Sequence, residues 1–582
     1  MTITARGLLW TGALMVAGIA GCGGSSSTPI PPELRTTTYG QVQGVNDSAN
    51  SGTYLWKGIP FAKPPVGSLR WMAPVEPDAW SGVLQTKAFG NACIQYGRIY
   101  GPGSNNTYDA TIGTTLNTAV GSEDCLTLNI WRPASADTNL PVIYFIYGGS
   151  DVSGYSADPV YDGATLAKTA NAVVVTANYR VGLFGWFNLP QLKSGANAND
   201  DSGNFGTLDT IKTLQFINKN IASFGGDPGN VTVMGQSAGA INVYALLTSP
   251  LVVNANPKLI HKAIPISGGI SLATNLPAGS IPTLNPPAVY LAQGNALLNN
   301  LLIADGKAVD NASAQAYAAT QTNAQIASYM RSKDGSTLLT VLLTKLAALG
   351  LSGSGPIPEG IVLPPDPIAA IQAGNYLKVP VLASNTREEA KLFSAYLALS
   401  PALGGVPGMI VTDASRFATM FNFNPDAPTT LTAADFINAA YLPVSTPVTG
   451  YNARTDLLNA IFFIASRDNV LGALKSQQDN VWYYQFNWAN EPAPWNDVYG
   501  AAHAFDLPFV FGNFGPSLFG NVIGGSANKA GRLALSNAMM KSIAAFAKNG
   551  DPNDAALGVT WPTWPKKIVF DATLTDKAIS VP

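Results

Sequence analysis

The sequence predicts an α/β fold, a central mostly parallel sheet flanked by helices with helical insertions. Three observations point there. Short runs rich in Val and Ile alternate with longer stretches of helical pattern. Those runs are apolar throughout rather than alternating, as strands covered on both faces are. Only 12% of the 582 residues are charged while 47% are hydrophobic, against roughly 25% charged in an average globular chain. That composition suits a large buried core and excludes a disordered chain.

The strands expected in chain order are residues 141–147 (PVIYFIY), 172–177 (AVVVTA), 230–235 (NVTVMG), 262–266 (KAIPI), 379–383 (VPVLA) and 481–486 (VWYYQF). Helices are expected at residues 207–221 and 238–247, whose apolar residues recur at helical spacing. Residues 288–349 and 414–474 are rich in Ala and Leu and read as helical insertions around the sheet. The length alone suggests about four domains of ordinary size. No composition break supports that division beyond the N-terminal segment.

Residues 1–21 read as an export signal. Arg6 supplies a positive charge, and residues 7–20 form an apolar run too short for a confident membrane span. The run ends in Ile19-Ala20-Gly21-Cys22, which resembles a bacterial lipobox, so Cys22 is expected to carry a lipid anchor to a membrane. Gly23 at the next position leans toward outer-membrane sorting in a Gram-negative host, with the protein facing the periplasm or exterior. Residues 22–33 are a Gly/Ser/Pro tether. Cys93 and Cys125 remain as an even pair in an exported chain, and a disulfide is expected between them. No other stretch reads as long and apolar enough to span a bilayer.

Charge and scarce residues narrow the chemistry. With 33 Lys+Arg against 35 Asp+Glu there is no basic excess, so nucleic-acid binding is not expected. Two His and three Cys leave too few ligands for an ordinary zinc site, so no metal or cofactor is expected. The sharpest motif is Gly235-Gln236-Ser237-Ala238-Gly239, between a predicted strand and a predicted helix. In that context Gly-x-Ser-x-Gly forms an elbow that exposes a nucleophilic serine, both glycines permitting a tight turn. A serine needs a base. His261 falls just before a strand, at the wrong end of the sheet, whereas His503 follows the strand at 481–486, on the carboxyl side where ligand sites gather. Glu388 and Glu389 follow the strand at 379–383, and spacing does not choose between them as the acid orienting the base. Tyr147-Gly148-Gly149-Ser150 follows the strand at 141–147, where backbone N–H groups, with that of Ala238, can face an oxyanion. A histidine base also predicts that turnover falls in acid.

These residues sit within longer blocks: residues 56–71 (WKGIPFAKPPVGSLRW), 122–133 (SEDCLTLNIWRP), 178–187 (NYRVGLFGWF), 203–209 (GNFGTLD), 224–239 (FGGDPGNVTVMGQSAG) and 503–512 (HAFDLPFVFG). Together they resemble the type-B carboxylesterase family of α/β-hydrolases. The resemblance runs from about residue 37 to 564. It implies one catalytic domain over residues 34–582 that hydrolyses small to medium carboxylic esters through an acyl-enzyme. It implies Ser237 as nucleophile, Glu389 rather than Glu388 as acid and His503 as base. The matched oxyanion donors are Gly149, Ser150 and Ala238, and the matched disulfide is Cys93–Cys125. It further implies a buried ion pair between Glu123 and Arg180, and a serine, Ser267, beside the acid. Four positions depart from the family pattern: Gln236 for Glu, Ser150 for Gly, Asp151 for an aromatic, and Ala390 for Gly. The loop between the paired cysteines holds Tyr96, Tyr100 and Tyr108 but no Trp, which weighs against a choline ester.

Overall fold

The computed structural model describes residues 31–582. The expected signal, Cys22 and most of the tether lie outside the described residues. The main sheet has ten strands: β1 (Val45–Asp47), β2 (Thr53–Pro60), β3 (Thr127–Pro133), β4 (Leu140–Ile146), β5 (Val173–Ala177), β6 (Gly226–Gln236), β7 (Lys262–Ile266), β8 (Val381–Thr386), β9 (Val481–Phe486) and β10 (Ile568–Phe570). Their order across the sheet is β10-β9-β8-β7-β6-β4-β5-β3-β2-β1. From β10 to β5 every neighbouring pair is parallel, and β3, β2 and β1 complete one edge antiparallel.

All six expected strands are present, within a few residues of the expected bounds. The largest shift is the start of β6. Only Gly226 pairs with β4 before an irregularity, and regular pairing resumes at Val231. The reason is local: Pro228 has no N–H to donate, and Asp227 turns its carboxylate onto the Gly229 N–H. The register then sets the site. Gly235 lies beside Ile146, Gln236 beside Ile266, Ile266 beside Ser384, and Thr386 beside Phe486. The carboxyl ends of five parallel strands therefore meet on one edge.

The main helices are α1 (Phe205–Asn220), α2 (Ala238–Thr248), α3 (Pro287–Ala304), α4 (Tyr451–Lys475) and α5 (Lys529–Asn549). α3 belongs to the first insertion. Its Leu297, Leu301 and Leu302 pack with Met330, Leu338 and Leu346 into a small core of their own, against Trp71 and Phe184. α4 corrects one expectation, because by length and composition it could cross a membrane. In the fold Tyr451, Leu458, Val470, Leu471 and Leu474 bury one face of it in the main core. Residues Ala460–Ile464 of α4 form a π-helical turn. Such turns often mark functional sites, and here Phe462 and Phe463 from this turn line the cavity above the strand ends.

Cys93 and Cys125 are bonded, 32 residues apart. By loop entropy such a link contributes roughly 3–4 kcal/mol. The expected Glu123–Arg180 pair is not formed. Arg180 instead makes a bidentate pair with Asp209 on α1, with both contacts at 2.8 Å, and takes the same carboxylate onto its own N–H at 3.0 Å. Glu123 pairs with Arg70. A fully buried carboxylate keeps its charge only with a charged partner at close range. Asp209 has no exposed surface, and Arg180 provides that partner, while Glu123, partly open to solvent, pairs nearer the surface.

Candidate active site

β6 ends at Gln236, α2 begins at Ala238, and Ser237 sits alone between them with φ 59° and ψ −125°. The elbow's positive φ thus falls on the serine, and the two glycines serve a different need from the turn expected of them. A Cβ on Gly239 would lie 2.0 Å from the Ile146 carbonyl, and one on Gly235 would lie 2.3 Å from the Gly239 carbonyl. Both positions must be bare so that α2 can start directly against the ends of β4 and β6. Ser237 is further pinned by its N–H, which donates to the Ile266 carbonyl at 2.9 Å.

The imidazole lies across the same edge. His503 is buried, and its Nδ1–H donates to Glu389 Oε2 at 2.5 Å. Glu389 has no exposed surface. Its Oε1 accepts from Asn385 Nδ2 at 2.9 Å and from the Thr386 N–H at 2.8 Å. Burial pushes this carboxyl up, but the charge and hydrogen bond of His503, with Ser267 and Asn385 alongside, outweigh it and hold the group below its ordinary range. Glu388 faces away. It accepts from the Ala501 N–H and pairs with Arg387 and Lys391. Of the two glutamates that spacing left open, Glu389 is the one that contacts the imidazole. The rings of Phe393 and Phe463 pack on the imidazole at 5.0 and 5.2 Å. His261 is at the opposite end of the sheet, where its Nδ1 accepts from the Val231 N–H at 3.2 Å.

Ser237 and His503 line one cleft, yet no hydrogen bond joins them among the described residues. His503 Nε2 instead takes a hydrogen bond from the Gln236 side-chain amide at 3.0 Å. With the Nδ1 proton committed to Glu389, Nε2 is the acceptor. The N–H groups of Gly149, Ser150 and Ala238 donate to nothing among the described residues, and all three residues border Ser237. Ser150 meets the need for a positive φ despite its side chain, at 57°. No group of three or more His, Cys, Asp or Glu is gathered to hold a metal among the described residues.

The pattern of the Carboxylesterase family matches residues 31–574. The chain belongs to the carboxylesterase family. It is 30% identical over 548 residues to the para-nitrobenzyl esterase of Bacillus subtilis (strain 168), covering 93% of this chain and 96% of that protein. It is also 30% identical over 559 residues to the fumonisin B1 esterase of Sphingopyxis macrogoltabida, covering 93% and 86%. Among solved structures, a PNB esterase superposes with a TM-score of 0.68 at 28% identity over 95% of this chain and 97% of that one. A Geobacillus stearothermophilus carboxylesterase gives 0.66 at 27%, over 94% and 98%. The fold is therefore that of the α/β-hydrolases, and the activity is carboxylic ester hydrolysis.

This carboxylesterase stores backbone strain at its site. Ser150, Asp151, Ser237, Ser267 and Ala504 all have φ between 54° and 69°, and all line the cavity or the cleft beside it. Such conformations cost about 1–3 kcal/mol each and persist only where the surroundings impose them. The cavity, about 270 Å³, is framed by Ser237, Asp151, Ile281, Phe462 and Phe463. Asp151 stands where the family resemblance implies an aromatic. Its carboxylate accepts from Asn242 Nδ2 at 2.8 Å, and burial pushes it up to about 7. Burial, then the nearby Glu389 charge, pushes Asp506 up to about 7 as well.

Between about pH 4 and 7 both aspartates thus keep a proton that the unfolded chain, with an aspartate value near 3.9, has released. Their contribution to stability is full below about pH 4 and is lost as pH rises through about 7. His261, made less basic by burial and then by Lys258 and Lys262, pulls the other way over part of this window. The diagnostic is therefore a difference between proteins. Thermal unfolding of Asp151→Asn should lose part of the wild-type fall in Tm between about pH 4 and 7. A pH dependence identical to wild type would remove Asp151 as a cause.

Proposed function

We propose that Ser237, His503 and Glu389 form the catalytic triad, with the N–H groups of Gly149, Ser150 and Ala238 as the oxyanion hole. The observation that carries this reading is the buried Glu389–His503 contact opening on the cleft of Ser237. Glu389 holds the imidazole in the tautomer whose Nε2 is free to accept a proton. For attack, His503 Nε2 exchanges the Gln236 amide for the Ser237 hydroxyl, a local torsional change within one cleft. Ser237 Oγ then adds to the ester carbonyl while His503 takes its proton, and the three N–H groups meet the oxyanion. The protonated imidazole gives that proton to the departing alcohol. Water hydrolyses the acyl-enzyme by the same route and restores Ser237. The substrates are small-molecule carboxylic esters, in keeping with relatives named for a para-nitrobenzyl ester and for fumonisin B1.

The test is covalent labelling. A fluorophosphonate probe should add once to the folded protein, by intact mass, and not at all to Ser237→Ala. Labelling that survives in Ser237→Ala, or its absence from folded wild type, would remove Ser237 as the nucleophile. We also propose that the enzyme is exported and held to a membrane by a lipid on Cys22, supported by the small residues Ala20-Gly21 before that cysteine. Cys22→Ser should move the enzyme from the membrane to the soluble fraction, and an unchanged distribution would refute the anchor.

A further inference from the structure

A second chamber opens beside the nucleophile. The loop closed by Cys93–Cys125, the turn at Gly149 and Ser150, and the helix Asp413–Phe421 contribute walls to a space of about 460 Å³. Gly149, Ser150 and Tyr100 belong both to this chamber and to the cleft of Ser237 and His503. An ester seated at the nucleophile therefore reaches the chamber without leaving the protein.

The charged side chains lining the chamber are Arg98, Arg416 and Asp413. Asp413 is already engaged, accepting from Arg416 Nη2 at 2.7 Å. Arg416 is only 8% exposed. The Tyr100 and Tyr499 hydroxyls lie beside it. Its Nη1 donates to the Met409 thioether at 3.7 Å, a weak acceptor, and its Nε has no partner among the described residues. Arg98 is half-buried over the Tyr96 ring, 5.8 Å from its centroid, and makes no side-chain hydrogen bond or ion pair among the described residues. Two guanidinium groups against one carboxylate leave one positive charge unmatched. Inside a walled chamber that charge attracts an anion more strongly than it would in open water.

We infer that this chamber is a subsite for a free carboxylate carried by the ester substrate, bound by Arg98 with Arg416 beside it. The inference rests on Ser237 being the nucleophile and narrows the substrates to esters that bear a second, ionised carboxyl group. The planar guanidinium fork suits a carboxylate's two oxygens, and a single unmatched charge suits a monoanion. The bland alternative is that Arg98 is a solvated surface cation, in which case substrate charge has no effect.

Two pairs of esters matched in size test it. One places the charge on the acid: mono-para-nitrophenyl glutarate against para-nitrophenyl pentanoate. The other places it on the alcohol: the acetyl ester of para-hydroxybenzoate against that of para-hydroxybenzamide. In at least one pair the charged ester should be preferred by about tenfold in kcat/KM, through KM. The preference should fade with added salt, fall by about tenfold in Arg98→Gln and return in part in Arg98→Lys. Beyond its contact with the Tyr96 ring Arg98 makes no side-chain hydrogen bond or ion pair among the described residues, so both variants should fold with a Tm close to wild type. Calorimetry on Ser237→Ala, with the charged esters as ligands, reads the chamber without turnover. No charge preference in either pair, or an Arg98→Gln effect equal on charged and neutral esters, would overturn the subsite. Failure to hydrolyse any of the four esters would instead overturn the role of Ser237, and calorimetry would still decide the chamber.

Discussion

Replacing His503 with alanine is expected to lower kcat for a soluble ester by roughly 10⁵–10⁶-fold, whereas His261→Ala should leave it within about twofold. The contrast follows from position. His503 sits in the cleft of Ser237 with its Nδ1 tied to Glu389, and no other imidazole reaches that edge. His261 touches only the start of β6, where its loss leaves the Val231 N–H without an acceptor, a cost of about 1 kcal/mol in stability. Steady-state kinetics with Tm as a folding control checks both. Comparable losses in the two variants, with both folded, would show that the base has been misassigned.

Glu389→Gln should cost roughly 10⁴-fold in kcat, and Glu388→Gln less than about tenfold. A glutamine at 389 presents either an N–H or a neutral oxygen to His503 Nδ1. The first forces the tautomer whose Nε2 carries the proton and cannot accept one from serine. The second no longer stabilises the imidazolium that forms during attack. Glu388 lies one residue away, but its partners are Arg387, Lys391 and the Ala501 N–H. Its substitution loosens a loop rather than the imidazole. A readout beyond rate separates the two: in Glu389→Gln the loss should fall on kcat with KM nearly unchanged, whereas in Glu388→Gln both should stay near wild type. Equal losses in the two variants would show that neither carboxylate acts through His503.

The elements that carry the chemistry were legible because each follows a continuous apolar run. The bounds of β7 and β9 match the sequence reading residue for residue, since both are short, buried and flanked by polar residues. What was illegible was long-range. Spacing leaves Glu388 and Glu389 open and only the family resemblance points to Glu389; the fold after β8 is what turns that carboxyl onto His503. Arg180 found Asp209 rather than Glu123 because α1 brings the nearer buried carboxylate, a fact of helix placement that no local pattern carries. Gly235 and Gly239 read as turn-makers, yet they are bare for close approach, and the positive φ lies on Ser237. The Gln236 amide on His503 joins segments far apart in the chain, and Arg98 and Arg416, equally far apart, line one chamber; neither residue type in isolation signals such a placement.

The alignment of strand ends on one edge has a consequence for how the enzyme comes to life. Gln236 and His503 meet across 267 residues, and Glu389 and His503 across 114. No fragment that stops short of β9 and the loop after it holds His503, the proposed base, and no local hairpin forms any part of the proposed triad. Parallel pairing of this reach is slow, because the loops must close before the contacts reward them. The first turnover of a refolding or newly made chain thus reports that β6, β8 and β9 have all docked in register. Recovery of esterase activity is therefore a clock for the last long-range steps of assembly, lagging behind any signal from helix content.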